Sequence, residues 1–134
     1  MRPLATDKLW TAIDEYLADS LVPGDPSLDA ALAASETAGL PPINVAPNQG
    51  KLLMLLARTM SATRILEIGT LGGYSTIWLA RGLAPGGRLI TLEANPDYAE
   101  VARANIKHAG LEAMVSVRVG RAQDTLPGLA AMPP

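Results

Sequence analysis

The spacing of apolar residues changes character about halfway along the chain. Before Thr63, apolar residues recur at helical intervals, as in Leu9, Ile13 and Leu17, which would share one face of a first helix. From Thr63 onward, short apolar runs typical of strands alternate with helical patterns. This order predicts about three helices followed by βαβ units that build a parallel sheet.

Prolines, glycines and capping residues divide the first half into three predicted helices. Thr6 is the expected N-cap of the first helix, and Ser27 and Gly39 are the expected cap and stop of the second. The prolines that follow force an extended segment. A third helix is predicted from about Pro47 to Met60, and its run LLMLLA predicts deep burial because it is apolar nearly all round.

Three apolar runs in the second half predict strands: TRILEIG, GRLITLEA and AMVSVRVG. The first run lacks alternation, which is typical of a parallel strand buried on both faces. YSTIWLARGL predicts a helix after it. The next helix is clearly bounded, with Asn95 as cap, Pro96 in the first position and Gly110 as the stop. A final short helix is expected to break at Pro127.

These elements predict an α/β fold, the N-terminal half of a Rossmann-like, doubly wound parallel sheet preceded by about three helices. A single domain over residues 1–134 is expected. Residues 1–62 would hold the helices and a segment leading to the ligand site, and residues 63–134 the βαβαβ portion. Doubly wound sheets usually carry more strands than three. We therefore expect a fragment, a shortened chain, or a sheet edge covered by another chain.

The composition of the chain limits the kinds of partner and of chemical site that can be expected. The net charge of −2 gives no reason to expect nucleic acid or an anionic membrane as a partner. The chain has no cysteine, which excludes disulfides, zinc–thiolate sites and thiol nucleophiles. Since no apolar stretch reaches the roughly 18 residues of a membrane span and the N-terminus does not read as a signal peptide, a cytoplasmic protein is expected.

The stretch RILEIGTLGGYS places a glycine-rich loop between the first strand of the sheet and the next helix. Its glycines are Gly69, Gly72 and Gly73, a spacing that fits neither the dinucleotide pattern nor the P-loop. A tight turn without a ligand is one interpretation. A ligand crevice is the other, because doubly wound sheets regularly bind ligands where their strands end.

Two acidic residues favour the ligand interpretation. Glu67 lies in an apolar run, where an uncompensated carboxylate costs several kcal/mol. It either accepts hydrogen bonds from loop N–H groups or faces a cationic ligand. Glu93 ends the second strand, 24 residues after Gly69, near the place where Rossmann-type sites bind ribose hydroxyls. Its alternative is an exposed charge at a strand end. Together they indicate a nucleoside with a positive, phosphate-free tail, which is the shape of S-adenosylmethionine.

Several motifs in order resemble one known family. INVAPNQGKLL, LEIGTLGGYS, LITLEANP, ARANIKHAGL and VSVRVGRAQDTLP are similar to motifs of the small class I O-methyltransferases, the bacterial relatives of catechol and caffeoyl-CoA O-methyltransferases. The resemblance implies an S-adenosylmethionine-dependent enzyme that methylates a small phenolic hydroxyl. It also implies a homodimer that uses the N-terminal helices, although those helices could instead pack within one chain.

The family's cofactor contacts can be carried over to matching positions of this chain. Asn44 and Val45 would cover the methionine end, and Ser75 would bind the amino-acid carboxylate. Glu93 would take the ribose hydroxyls. The full set of implied cofactor residues is Asn44, Val45, Glu67, Gly69, Thr70, Leu71, Ser75, Glu93, Ala94, Ala122 and Gln123.

The resemblance covers the cofactor-binding motifs of the family and not the motifs that carry its catalytic residues. The family's metal ligands and catalytic base would fall after Pro134, so no catalytic or metal-binding residue is predicted within these residues, and magnesium is expected only with a further C-terminal half. The expected function is the cofactor-binding portion of an O-methyltransferase. The alternatives are a non-catalytic binding or interaction module, such as a truncated paralogue, and a nicotinamide oxidoreductase.

Overall fold

The computed structural model describes residues 4–131, with side chains from residue 8 onward. Within that range the predicted order of helices and strands is confirmed. The elements are α1 Leu4–Leu21, α2 Pro26–Thr37, α3 Pro47–Thr59, β1 Arg64–Ile68, α4 Tyr74–Arg81, β2 Arg88–Glu93, α5 Pro96–His108, β3 Val115–Val119 and α6 Ala122–Ala130. None of these helices is both long and apolar enough to cross a bilayer.

The three strands form one parallel sheet with β2 in the middle. In its register Glu67 of β1 lies beside Thr91 of β2, and Glu93 lies beside Val119 of β3. The strand order corresponds to the first half of a doubly wound sheet. The predicted α/β class is therefore confirmed, and the carboxyl ends of all three strands meet at one edge.

The core lies between the sheet and the helices that cross over it. α4 packs against β2, α5 packs against β3, and α2 lies against both helices. The buried side chains at the centre of this core are Leu28, Ala31, Tyr74, Ile77, Trp78, Leu89, Ala102, Ile106 and Leu111. Burial of these groups is the main favourable contribution to folding.

Helix boundaries follow local chemistry. The Asn95 side chain accepts a hydrogen bond from the Asp97 N–H at 2.9 Å, which confirms the predicted cap of α5. Gly39 has a φ of 73° just after α2, as its predicted role as a stop requires. The prediction for Ser27 is wrong, because Asp25 caps α2 and accepts from two N–H groups. The prediction for Thr6 is also wrong, because α1 already begins at Leu4.

The last helix does not break where the sequence predicts. α6 runs from Ala122 to Ala130 with Pro127 inside it. A proline at this position removes one internal hydrogen bond. The N–H groups of Asp124 and Thr125 bond to the Arg121 carbonyl and anchor the first turn. The helix therefore continues past the proline.

The predicted deep burial of α3 and of both faces of β1 is wrong. On α3, only Gly50 and Ala57 are buried, and its leucines at positions 52, 55 and 56 are about half exposed. On β1, Leu66 and Ile68 are 50% and 60% exposed. Both elements carry apolar residues on more than one side, but the described residues cover only one side of each. β1 is an edge strand whose second face has no helix packed on it among these residues.

A partly buried ion pair fastens the start of α2 to the end of α4. Asp25 pairs with Arg81 and also accepts hydrogen bonds from the N–H groups of Ser27 and Leu28, at 3.0 and 3.1 Å. Partial burial alone would raise the pKa of Asp25. The Arg81 guanidinium and the two backbone donors outweigh that effect and lower the pKa below its usual value.

We expect Asp25→Ala to lower the free energy of unfolding by about 1–2 kcal/mol, because it removes a helix cap as well as the ion pair. Asp25→Asn keeps the cap and is expected to cost less than about 1 kcal/mol. Since the folded pKa lies below the unfolded one, the charge stabilises the protein at neutral pH and this contribution disappears as the pH falls below about 4. Urea denaturation at pH 7 and pH 3 measures both effects.

The exposed residue Asp19 provides the control for the loss of one negative charge. Asp19→Asn should leave the stability within about 0.5 kcal/mol of the parent. If Asp25→Ala were no less stable than Asp19→Asn, the cap and the ion pair would have no energetic role.

Candidate functional site

A cleft of about 1010 Å³ opens at the carboxyl ends of β1 and β2. It is bounded by the glycine loop after β1, by the extended segment before α3 and by the end of β2. Its volume is at the upper end of the range of small-molecule sites. The position is the one at which doubly wound sheets bind ligands.

The loop after β1 combines glycine conformations with one strained leucine. Gly69 and Gly73 have φ values of 88° and 83°, which favour glycine. Leu71 has a φ of 52°, a conformation that costs a side-chain-bearing residue about 1–3 kcal/mol. Other contacts must therefore hold this loop in place.

Glu93 supplies those contacts. Its Oε2 accepts hydrogen bonds from the N–H groups of Thr70 and Leu71, at 3.0 and 2.8 Å, and its Oε1 accepts from the Asn95 N–H at 2.9 Å. The side chain is only 8% exposed, so Glu93 is not the exposed strand-end charge considered as its alternative role. It braces the loop and still lines the cleft.

Glu67 is held by three hydroxyl groups. Its Oε1 accepts from Ser75 Oγ at 2.6 Å, and its Oε2 accepts from Thr76 Oγ1 at 2.5 Å and from Thr91 Oγ1 at 2.7 Å. The cost of placing a carboxylate here is thus met by donated hydrogen bonds. These donors are side-chain hydroxyls, whereas one of the two roles expected from the sequence was that Glu67 accepts hydrogen bonds from loop N–H groups. Glu67 also lines the cleft.

The start of α4 faces the same cleft. Gly73 is its N-cap, and the N–H groups of a first helical turn have no partner within the helix. Ser75 lines the cleft, but its hydroxyl proton is donated to Glu67. Tyr74 packs into the core, where burial raises the pKa of its hydroxyl. A ligand anion at this point would be met by backbone N–H groups.

Asn105 of α5 holds the middle of the glycine loop from behind. Its side-chain amide donates to the Gly72 carbonyl at 2.9 Å and to the Ala31 carbonyl at 3.3 Å. Asn105 is buried, and the two bonds join the loop to α2 and α5. The loop is therefore fixed on both sides, by Glu93 and by Asn105.

The structure brings seven of the eleven predicted cofactor residues into the lining of this cleft, namely Asn44, Val45, Glu67, Gly69, Leu71, Ser75 and Glu93. Thr70 belongs to the loop but is buried. Ala94 is exposed just after β2, and Ala122 and Gln123 begin α6 at the same edge of the sheet. These last four do not line the cleft.

The sequence analysis missed Thr76, Thr91 and Asn105. Thr76 and Thr91 are fully buried, and their hydroxyls anchor Glu67. A threonine inside the apolar run LITLE was the available signal. Its importance depends on the strand register, which the sequence does not contain.

The described side chains offer no metal site. No three His, Asp or Glu side chains among residues 8–131 are grouped in a way that would hold an ion. The divalent metal that the resemblance implies therefore does not fit the residues present here.

Comparison with known proteins agrees with this geometry. The sequence model of a family described as O-methyltransferase matches residues 27–132. The chain is 58% identical over 121 residues to a catechol O-methyltransferase of Mycobacterium tuberculosis, a match that covers 90% of this chain and 55% of that protein.

Two solved structures are similar in fold as well as in sequence. An O-methyltransferase from Bacillus cereus in complex with SAH superposes with a TM-score of 0.92 at 50% identity, over 95% of this chain and 58% of that one. The O-methyltransferase TomG from Streptomyces achromogenes in complex with SAM gives 0.88 at 46% identity, over 99% and 58%.

The extent of the match matters for the function. The chain spans about half the length of the curated relatives that it matches. The family model nevertheless covers most of this chain, including the glycine loop and both acidic residues of the cleft. The chain belongs to the O-methyltransferase family.

Proposed function

We propose that this chain binds S-adenosylmethionine and forms the cofactor-binding portion of an O-methyltransferase that acts on a small phenolic, catechol-like substrate. The observation that carries the proposal is the meeting of two carboxylates, Glu67 and Glu93, with a glycine loop in one cleft. A cleft lined by carboxylates repels a pyrophosphate and attracts a cation. The neighbours in complex with SAH and SAM support the same ligand class.

Each part of the ligand would have a matching part of the cleft. Glu93 has unused acceptor capacity on Oε1 for one of the ribose hydroxyls, because a carboxylate oxygen can accept two hydrogen bonds and Oε1 accepts one, from the Asn95 N–H. Glu67 would lie near the ammonium or sulfonium group. Asn44 and Val45 would cover the methionine end, and the ligand carboxylate would meet the Ser75 N–H at the start of α4.

The remaining predicted residues would act at the adenine. Ala94 lies directly after Glu93, and Ala122 and Gln123 follow β3 at the same edge of the sheet. We propose that they flank the adenine ring, with Gly69, Thr70 and Leu71 forming the floor of the site. Thr70 would act through its N–H bond to Glu93.

The contribution of these residues to methyl transfer is positioning. A bound S-adenosylmethionine would supply an activated methyl group for in-line displacement by the oxygen of a deprotonated substrate hydroxyl, with S-adenosylhomocysteine as the leaving group. Holding the reacting atoms in line converts an encounter into an intramolecular step and lowers the barrier. We propose that magnesium and the catalytic base belong to a C-terminal half of the kind present in the longer relatives.

A second candidate is a non-catalytic binding module that binds the cofactor or a partner chain through its open sheet edge. The exposed Leu66 and Ile68 favour it, because they lie on the uncovered face of the edge strand β1, next to the cleft. If the module binds the cofactor, it differs from the first proposal only in lacking catalysis. It predicts cofactor binding without methyl transfer to a catechol under any metal condition.

Calorimetry of this chain with S-adenosylmethionine, S-adenosylhomocysteine and NAD tests the ligand class. We expect measurable binding of the first two and at least about tenfold weaker binding of NAD, because its pyrophosphate would lie beside Glu67. Preference for NAD would overturn the assignment and support an oxidoreductase. A methyl-transfer assay with catechol and Mg²⁺ separates the enzyme from the binding module when these residues are joined to a C-terminal half of the kind that the longer relatives carry. Turnover is not expected from residues 1–134 alone.

We also propose a cytoplasmic homodimer. Leu9, Trp10, Ile13 and Tyr16 leave an exposed apolar face on α1 that a second copy would cover. Sedimentation velocity measures the state of association, and a monomer at micromolar concentration would contradict the proposal.

A further inference from the structure

The two oxygens of Glu67 have different surroundings. Oε2 accepts hydrogen bonds from Thr76 and Thr91, which are both 0% exposed. Oε1 accepts from Ser75, which lines the cleft. One oxygen is therefore fastened into the protein interior, and the other is the one that a ligand in the cleft can reach.

The direction of the hydrogen bonds can be derived from proton counting. A threonine hydroxyl has one proton, and Thr91 donates its proton to Glu67. The Thr70 hydroxyl, 2.6 Å from Thr91 Oγ1, must then be the donor in that pair. The Thr70 N–H donates in turn to Glu93. A buried hydrogen-bonded chain thus joins the two carboxylates of the cleft.

The strand register is the reason that this chain exists. Thr91 lies beside Glu67 in the pairing of β1 with β2, so its hydroxyl is on the same face of the sheet as the carboxylate. Thr76 reaches the same oxygen from the first turn of α4. Donors from two different elements hold one carboxylate oxygen, and this fixes the side-chain rotamer.

We propose that Thr76 and Thr91 are positioning residues that turn Oε1 of Glu67 toward the cleft and thereby set the preference for a cationic ligand. The inference rests on the proposed function and goes beyond it, because neither threonine touches the cleft. A merely structural role would weaken all ligands alike. A positioning role acts on the cationic end of the ligand and spares the nucleoside end.

Thr91→Val tests the proposal, since valine has nearly the same shape and lacks the hydroxyl. Calorimetry would compare S-adenosylmethionine with adenosine, which contains the ribose and adenine but no charged tail. We expect S-adenosylmethionine to bind on the order of tenfold more weakly to the variant, as for a lost hydrogen bond to a charged group. Adenosine should change less than about twofold.

Three further variants complete the test. Thr91→Ser restores a hydroxyl and should recover most of the lost affinity. Thr76→Val should show the same ligand dependence as Thr91→Val, which keeps the test available if one variant fails to fold. Thr59→Val is the control, because that hydroxyl bonds to Leu55 within α3 and does not touch Glu67.

A double-mutant cycle with Glu67→Gln shows whether the threonine acts through Glu67. The effect of Thr91→Val on S-adenosylmethionine should largely disappear once the carboxylate is gone. An undiminished effect in that background, or equal losses for adenosine and S-adenosylmethionine, would overturn the inference. If the parent chain bound no S-adenosylmethionine at all, the proposed function would fail instead, so the two failures are distinguishable.

Discussion

Replacing Glu93 by alanine is expected to weaken S-adenosylmethionine binding by at least about 100-fold. The substitution removes the acceptor for three backbone N–H groups, two of which belong to the glycine loop. Each such bond to a charged acceptor is worth roughly 1.5–3 kcal/mol. Without them, the Asn105 bond to the Gly72 carbonyl and the bond from the Gly73 N–H to the Thr70 carbonyl are left to oppose the strained φ of Leu71, and we expect the loop to lose the conformation that borders the cleft. The proposed contact with the ribose hydroxyls is lost at the same time.

Calorimetry and thermal denaturation of the same variant separate binding from folding. Glu100→Ala provides the control, because that carboxylate is largely exposed and pairs with Arg103 on the surface of α5. It should leave both affinity and stability nearly unchanged. Adenosine should also lose affinity for Glu93→Ala, in contrast to its behaviour with the threonine variants. Binding within threefold of the parent would show that the loop is held without Glu93.

Replacing Gly50 by alanine is expected to lower the free energy of unfolding by about 2–3 kcal/mol. In an open helix the same change would stabilise the protein by up to about 1 kcal/mol. Here the new Cβ would lie 2.8 Å from Trp78 Cγ and closer still to Cδ1 and Nε1. Trp78 is packed in the core, so its indole ring has no free space into which it can move.

Two other glycines make this prediction specific. Gly24, in the link between α1 and α2, has open space around it, and Gly24→Ala should change stability by less than about 0.5 kcal/mol. Gly82→Ala should destabilise as Gly50→Ala does, because its Cβ would lie 2.7 Å from both Ala57 Cβ and Met54 O. Urea denaturation measures all three. A Gly50→Ala variant more stable than the parent would mean that α3 and α4 do not approach closely.

Much of the fold could be predicted because its signals are local. Asn95, Pro96 and Gly110 mark the ends of α5 by capping and turn chemistry that involves only nearby backbone. The failures of local prediction have local causes too. Asp25 lies two residues before Ser27, and its carboxylate accepts the hydrogen bonds of first-turn N–H groups of α2, which is the role that Ser27 was predicted to have. The composition of the three apolar runs in the second half correctly predicted strands. It could not show that β1 is an edge strand of the sheet.

The roles of the two acidic residues were predictable only in part. Their sequence positions predicted that Glu67 and Glu93 lie at a ligand site, and both line the cleft. Except for the Asn95 N–H, their hydrogen-bond partners were not predictable, because those partners come from residues 8 to 24 positions away in the chain. Glu93 in particular has a second role, bracing the loop, that no spacing argument shows.

The sequence by itself determined the order of helices and strands, the glycine loop and the two carboxylates at the ends of β1 and β2. Those features depend on neighbours along the chain, where capping, turn preference and apolar spacing act. Only the tertiary structure decided that Thr91 lies beside Glu67, that Glu93 turns into the loop, and that α3 and β1 each leave an apolar side exposed. Register and packing decide these, because they depend on which distant segments meet, and in what alignment.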